Sequence, residues 1–157
     1  MKIREIKNIN KEVIFTYDEH DEKWILREQV LSGVNLEKAN LQGILWEDVN
    51  LRRANLKEAD FYWAFLFMSN LSEANCEGAK FHGANLKEVN FTGANLRNAN
   101  FGKSNLGGSA DVSGANFTDA NLDRAQFDEA RYDDKTIFPK NFNPEKNGLV
   151  RIKSKQF

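Results

Sequence analysis

From residue 34 onward, apolar and polar positions alternate in a rhythm of five. The chain reads VNLEK ANLQG ILWED VNLRR ANLKE ADFYW AFLFM SNLSE ANCEG AKFHG ANLKE VNFTG ANLRN ANFGK SNLGG, then Ser109, then ADVSG ANFTD ANLDR AQFDE ARYDD to Asp134. In these 20 pentads the third residue is Leu ten times and Phe six times, Trp46, Cys76, Val112 and Tyr132 being the exceptions. The first residue is Ala 14 times, and the second is Asn or Asp 15 times. A period of five matches neither an α-helix nor a long flat strand. Within a pentad, however, two apolar residues spaced by two share one face of an extended chain. The polar remainder, rich in Asn, Asp and Gly, favours a turn. Each pentad therefore predicts a short extended side followed by a corner. Corners of one sense every five residues wind the chain into a coil whose successive turns pair their backbones.

This A(N/D)LXX pattern resembles the pentapeptide-repeat family over residues 34–134, about two-thirds of the chain. The resemblance implies an all-β fold, a right-handed quadrilateral parallel β-helix with four pentads to a coil. Twenty pentads then make about five coils. Residues twenty apart should stack, with a spacing of 21 across Ser109 if that residue is a one-residue insertion at a tolerant corner. The expected interior columns are Leu51-Leu71-Phe91-Val112, Leu36-Leu56-Cys76-Leu96-Phe117, Leu41-Phe61-Phe81-Phe101-Leu122 and Trp46-Leu66-Leu86-Leu106-Phe127. The small first-position residues also point inward, since a narrow tube cannot hold a large side chain at both positions.

The flanks follow other rules, which divides the chain into 1–33, 34–134 and 135–157. In the first segment KIREI and EVIFTY alternate apolar and polar residues around KNINK, which predicts a β-hairpin. A short helix is expected over 22–31, with Asp21 as N-cap and Gly33 as stop, plugging the first coil. Hairpin-plus-helix leaders of this kind are also what the family resemblance implies. The last segment holds Pro139 and Pro144 among Ile137, Phe138, Phe142, Leu149, Val150 and Ile152. It predicts an irregular C-terminal cap with one late strand.

One stretch breaks the pattern outward. ADFYW and AFLFM put Tyr62, Trp63, Phe65, Phe67 and Met68 where polar residues are expected, and Leu45 takes an Asn slot one coil before Phe65. Half-exposed aromatics in this number leave roughly 300–500 Å² of apolar surface, the size of the largest patch on a typical monomer. Three coverings compete for it: the tail 135–157 folded back, a second copy docked symmetrically, or a different protein.

Charge and composition narrow the function by exclusion. The chain carries 22 Lys+Arg against 23 Asp+Glu, a net charge of −1, which argues against a broad electrostatic grip on nucleic acid. The balance is uneven: the repeats hold 10 basic and 15 acidic residues, net −5, and the tail 6 against 1, net +5. No apolar run is long enough to cross a membrane. The start MKIREIKNIN has no signal-peptide core, which points to the cytoplasm. A single cysteine, Cys76, rules out an internal disulfide and reads as a small buried hydrophobe. His20 and His82 are too far apart in role to make a metal site or a catalytic dyad; His82 is expected at a corner, facing water. Adjacent Glu47 and Asp48 on a corner face solvent separately. The Asn column is expected to satisfy stacked backbones rather than to bind a ligand. Neither a nucleophile–base pair nor a phosphate-binding loop is present.

The expected function is therefore that of a non-enzymatic protein-binding or scaffold module, without cofactor, acting through flat β faces and the patch of Leu45, Tyr62, Trp63, Phe65, Phe67 and Met68. The alternative is a DNA-mimicking topoisomerase (gyrase) inhibitor, similar to the quinolone-resistance members of the family. Those members resemble acidic rods joined through a C-terminal helix, and this chain's weakly acidic repeats and basic, Pro-containing tail depart from that plan.

Overall fold

The computed structural model describes residues 3–7, 11–18 and 31–153. Four ladders of parallel bridges run its length. Their members are Asn35-Asn55-Asn75-Asn95-Asn121, Asn40-Asp60-Lys80-Asn100-Gln126, Leu45-Phe65-Asn85-Asp111-Arg131 and Asn50-Asn70-Asn90-Asn116-Ile137. Each ladder carries the second residue of successive pentads, so the repeat is all-β and four-sided. No α-helix occurs among the described residues.

The corners explain the pentad grammar. The first residue of one pentad donates its N–H to the third residue of the one before, as from Ala59 to Leu56 at 3.0 Å and from Ala84 to Phe81 at 3.0 Å. The fifth residue lies in the left-handed region, for example Glu58 at φ 54° and Gly83 at φ 67°. A positive φ at the third residue of a hydrogen-bonded four-residue turn is the signature of type II. The Asn or Asp at position two serves the same corner: its Oδ1 accepts the N–H two residues on, as from Arg52 to Asn50 at 3.0 Å and from Thr118 to Asn116 at 2.9 Å. On one side the amides also link coil to coil, Asn55 Nδ2 donating to Asn35 Oδ1 at 2.9 Å and Asn95 Nδ2 to Asn75 Oδ1 at 3.1 Å. With these oxygens committed to backbone and to each other, the Asn column is structural.

The third-position side chains fill the interior. Phe61, Phe81, Phe101 and Phe127 stack face to face with centroids 5.1, 4.9 and 4.7 Å apart. Phe91, Phe117 and Phe138 form a second stack at 5.1 and 5.6 Å. Isolated rings prefer offset or edge-on contacts. Here the roughly 4.8 Å spacing of paired backbones holds the rings one above another. The two stacks meet edge-on, Phe91 to Phe101 at 6.2 Å and 89° and Phe101 to Phe117 at 6.1 Å and 83°, which restores the preferred contact between columns.

These stacks correct the expected columns. From Asn85 to Asn100 the ladder partner lies 26 residues on, not 21, so six residues leave the coil rather than one. The chain departs after Phe101 and returns at Ala110, whose N–H donates to the Phe101 carbonyl at 2.8 Å. That is the ordinary corner bond, closed around the eight residues 102–109 instead of two. Leu106, expected inside, is 84% exposed. Phe117 consequently follows Phe91, and Phe127 follows Phe101.

The winding also extends past the expected limits. Leu31 already stands in a repeat corner, its N–H donating to the Asn50 carbonyl at 2.9 Å while its own carbonyl accepts from Val34 at 3.1 Å. The helix expected over 22–31 therefore cannot include Leu31, and the rest of it lies outside the described residues. Beyond Asp134, Ile137 joins a ladder and Phe138 joins the phenyl stack. In the leader, β1 (Ile3–Lys7) pairs antiparallel with β2 (Val13–Asp18), and Ile6 belongs to the buried core cluster. At the other end β3 (Arg131–Tyr132) pairs in parallel with β4 (Val150–Arg151), while Phe142 packs on Phe127 and Phe138 at 5.4 and 5.1 Å. The described part of the tail thus lies on the end of the core, not on the outward aromatics.

Candidate interaction surface

Residues 62–68 form one side of a coil and the corners at both its ends. Four slots there are filled against the local rule. Leu45 and Phe65 occupy Asn positions and have no oxygen to offer the corner N–H. Trp63 and Met68 occupy left-handed positions at φ 54° and 60°. At every other repeat corner of this kind the residue is Gly or a polar or charged one, such as Lys38, Arg53, Glu73 or Asn98. A left-handed conformation costs a residue with a Cβ roughly 1–2 kcal/mol. Trp63 and Met68 share that backbone cost with the polar residues at the other corners and differ from them in carrying large apolar side chains outward.

The side chains put apolar surface on the outside of the coil. Leu45 is 61% exposed, Trp63 52% and Met68 48%, while Tyr62, Phe65 and Phe67 are half-buried between them. The rings of Phe65 and Phe67 lie 6.3 Å apart, and those of Tyr62 and Trp63 meet edge-on at 5.9 Å. All six residues lie outward or half-buried, Leu45 one coil before Phe65 on the same ladder.

The excursion 102–109 enlarges this face instead of covering it. Its end lies against the Trp63 indole. A Cβ built on Gly108 would come within 2.6 Å of Trp63 Cη2, and one on Gly83 within 2.8 Å of Trp63 Cδ2. Both glycines are needed to seat the ring. Ser104 Oγ donates to the Gly107 carbonyl at 2.9 Å, which leaves Tyr62 Oη to donate to Ser104 Oγ at 2.8 Å. His82 does not simply face water: it is half-buried, with Nδ1 2.8 Å from the Gly102 carbonyl, a contact that requires the proton on Nδ1. The loop so fastened presents Leu106, which sequence reasoning had placed in the core. The half-exposed aromatics themselves leave roughly 300–500 Å² of apolar surface, within the range of the largest patch on a monomer.

Next to this face the chemistry changes sign. Asp111 lies on the same ladder as Leu45 and Phe65, with a side chain only 6% exposed, between Lys87 at 3.4 Å and Arg131 at 3.2 Å. Ser113 donates both its N–H and its hydroxyl to Asp111 Oδ1, at 3.1 and 2.6 Å. Its polar neighbours are thus satisfied within the chain, and the group is a structural brace.

Elsewhere the residues with chemical potential are inert. Cys76 is fully buried, and desolvation pushes its thiol up to about 12. Iodoacetamide should leave it unmodified in the native protein at mildly alkaline pH and alkylate it once urea unfolds the chain. Native labelling seen by mass spectrometry would contradict that burial. No group of three or more His, Cys, Asp or Glu among the described residues is placed to hold a metal ion. No helix among them is long and apolar enough to cross a membrane.

A sequence-family model described as pentapeptide repeats matches residues 30–66, 69–108 and 109–131 in eight copies. Among curated proteins none matches the chain in sequence. Among solved structures the chain is similar to a pentapeptide repeat protein of the cyanobacterium Cyanothece 51142, at 31% identity over 66% of this chain and with a TM-score of 0.55. It spans 63% of that protein's length. It is also similar in fold to full-length QnrB1, a plasmid-mediated fluoroquinolone resistance protein, at 18% identity over 75% of this chain and 67% of that one, with a TM-score of 0.52.

Proposed function

Because this chain belongs to the pentapeptide-repeat family, we propose that it is a non-enzymatic protein-binding or scaffold module whose working surface is the aromatic face around Trp63. In this reading the repeats wind right-handedly in about five coils, the segments that flank the winding serve as end caps, and the protein acts in the cytoplasm. The observation that carries it is the outward placing of Leu45, Trp63, Phe65 and Met68, with Leu45 and Phe65 in Asn slots where they give up the oxygen that serves the corner N–H. Binding is the gain that offsets such losses, and aromatic residues with Met are the types enriched at the centres of interfaces.

The experiment compares proteins captured by the wild type and by Trp63→Glu/Phe67→Glu. Both positions lie on the outer surface of the coil, outside the buried core, and circular dichroism checks that the double variant keeps the fold. The expected result is loss of the specifically captured protein by the double variant. Equal capture by both forms would remove the aromatic face from the proposal. The alternative of a DNA-mimicking gyrase inhibitor draws on fold likeness alone. The repeats' net charge of −5 and the tail's +5 argue against it. Undiminished supercoiling by gyrase in excess protein would exclude it.

A further inference from the structure

Several acids at the left-handed corners are answered by a base. Glu58 meets Lys38 at 3.6 Å, Glu73 meets Arg53 at 2.7 Å and Glu129 meets Lys103 at 3.0 Å. Asp48 and Glu88 differ. They stand at the Met68 corner, one coil before it and one coil after, and both are exposed. Among the described residues no ion pair or hydrogen bond engages either carboxylate. Lys87, the one base on this side of the three coils, is paired with Asp111 at 3.4 Å. The outward apolar residues thus have an unanswered acidic rim.

Trp63 supplies a second, independent element. Gly83 and Gly108 lie so close that a Cβ on either would strike the six-membered ring of the indole, whereas around Gly43 a Cβ would find no atom within 4 Å. The residue nevertheless stays 52% exposed. One face of the ring therefore rests on glycine backbone and the other is open to solvent. Tyr62, edge-on at 5.9 Å and tied to Ser104, helps to fix that orientation before any ligand arrives. An open indole face attracts cations through its quadrupole, and a planar guanidinium also stacks on it.

We propose that the partner of the aromatic face is a basic segment of another protein, which stacks an arginine on Trp63 and sets a second cationic side chain between Asp48 and Glu88. The inference rests on that face being a binding surface and names what it binds. Two coil spacings, roughly 10 Å, separate the Asp48 and Glu88 corners. A cation over Met68 lies between them and is attracted by both, inside the screening length of ordinary salt. Apolar side chains of the segment cover Phe65 and Phe67 between the two charged contacts. A second copy offering the same face would bring an acidic rim against an acidic rim, which selects against self-docking.

The test titrates the full chain with a fluorescently labelled peptide of alternating arginine and leucine, followed by anisotropy. Saturable binding is expected, weakening as salt rises. Asp48→Lys/Glu88→Lys should weaken it roughly ten-fold or more, while Glu77→Lys/Asp119→Lys, the same change in net charge away from the aromatics, should leave it within about two-fold. Lys38 already occupies a left-handed corner, so lysine suits these positions. The wild type should prefer arginine to lysine in the peptide, and Trp63→Leu should erase that preference. Absence of saturable binding, equal loss in both charge-reversed pairs, or equal binding of a peptide with glutamate in place of arginine overturns the inference. So does a wild type of twice 18.0 kDa in light scattering that Trp63→Glu/Phe67→Glu returns to 18.0 kDa, which would give the face to a second copy. If the peptide fails while that double variant still loses its captured protein, the face binds and only the basic partner falls.

Discussion

Replacing Phe101 by Ala is expected to lower the unfolding free energy by about 3–5 kcal/mol. The ring is fully buried and lies face to face with Phe81 and Phe127, at 4.9 and 4.7 Å, and edge-on to Phe91 and Phe117, at 6.2 and 6.1 Å. Removing it deletes the point where the two stacks cross. The void cannot close readily, because backbone ladders fix the coil spacing above and below. In thermal unfolding followed by circular dichroism, the change corresponds to a fall in Tm of roughly 6–20 °C for a chain of this size. Leu36 fills an equivalent inward slot at the other end of the core and is smaller than a phenyl ring. Leu36→Ala should therefore fall at the low end of the range. A Phe101→Ala protein melting within a degree or two of the wild type would refute the stacked core.

Ser69→Ala is the second large effect, and it comes from one missing oxygen. Most corners close directly, first-position N–H to third-position carbonyl. At the Trp46 corner the bond runs through Ser69 in the coil below. The Val49 N–H donates to Ser69 Oγ at 3.2 Å, and Ser69 Oγ donates to the Trp46 carbonyl at 3.0 Å. Ser69 is 0% exposed and Val49 likewise, so water cannot take over. Ala fits the slot sterically, as it does in most pentads, yet it leaves a buried donor and a buried acceptor unpaired. A loss of about 1–3 kcal/mol follows. Urea unfolding measures it; the midpoint should fall with the slope unchanged, because the surface exposed on unfolding barely alters. An unchanged midpoint would mean that the Val49 and Trp46 groups find each other without help.

The four-sided repeat was legible because position, not composition, carries it. Leu or Phe at the third place, small residues at the first and Asn at the second each have a separate cause in the corner. Together they leave little freedom over 100 residues. The excursion was hidden for the same reason. SNLGG satisfies every term of the pentad pattern, although its Leu106 never enters the core. What decides the matter is which later residue closes on Phe101, a long-range choice that no single pentad records. One signal did exist in the letters. A displacement of 26 sets Phe117 after Phe91 and Phe127 after Phe101, whereas 21 sets Val112 and Leu122 there. Rings stack on rings, and that preference favours the longer displacement.

The aromatic face was legible as a violation of the pattern, since hydrophobic residues at Asn and corner slots stand out against fourteen or more regular neighbours. Its surroundings were not. The seat of Trp63 on Gly83 and Gly108, and the tie from Tyr62 to Ser104, join residues whose separation depends on the size of the excursion. The reach of the tail was equally beyond local reading. Phe138 could be seen as apolar, but only the extra corner residue before Thr136 brings it into step with Phe117.

The corner at Phe101 and Ala110 has a consequence for how such a chain can change. One hydrogen bond closes it whether two residues or eight lie between its ends. A segment spliced in there shifts the numbering of everything downstream and disturbs none of its stacking. The spine is thereby insulated from the decoration it carries. A lineage, or an engineer grafting a recognition peptide, can rewrite the outside of the molecule at a corner while the column of rings inside stays in register.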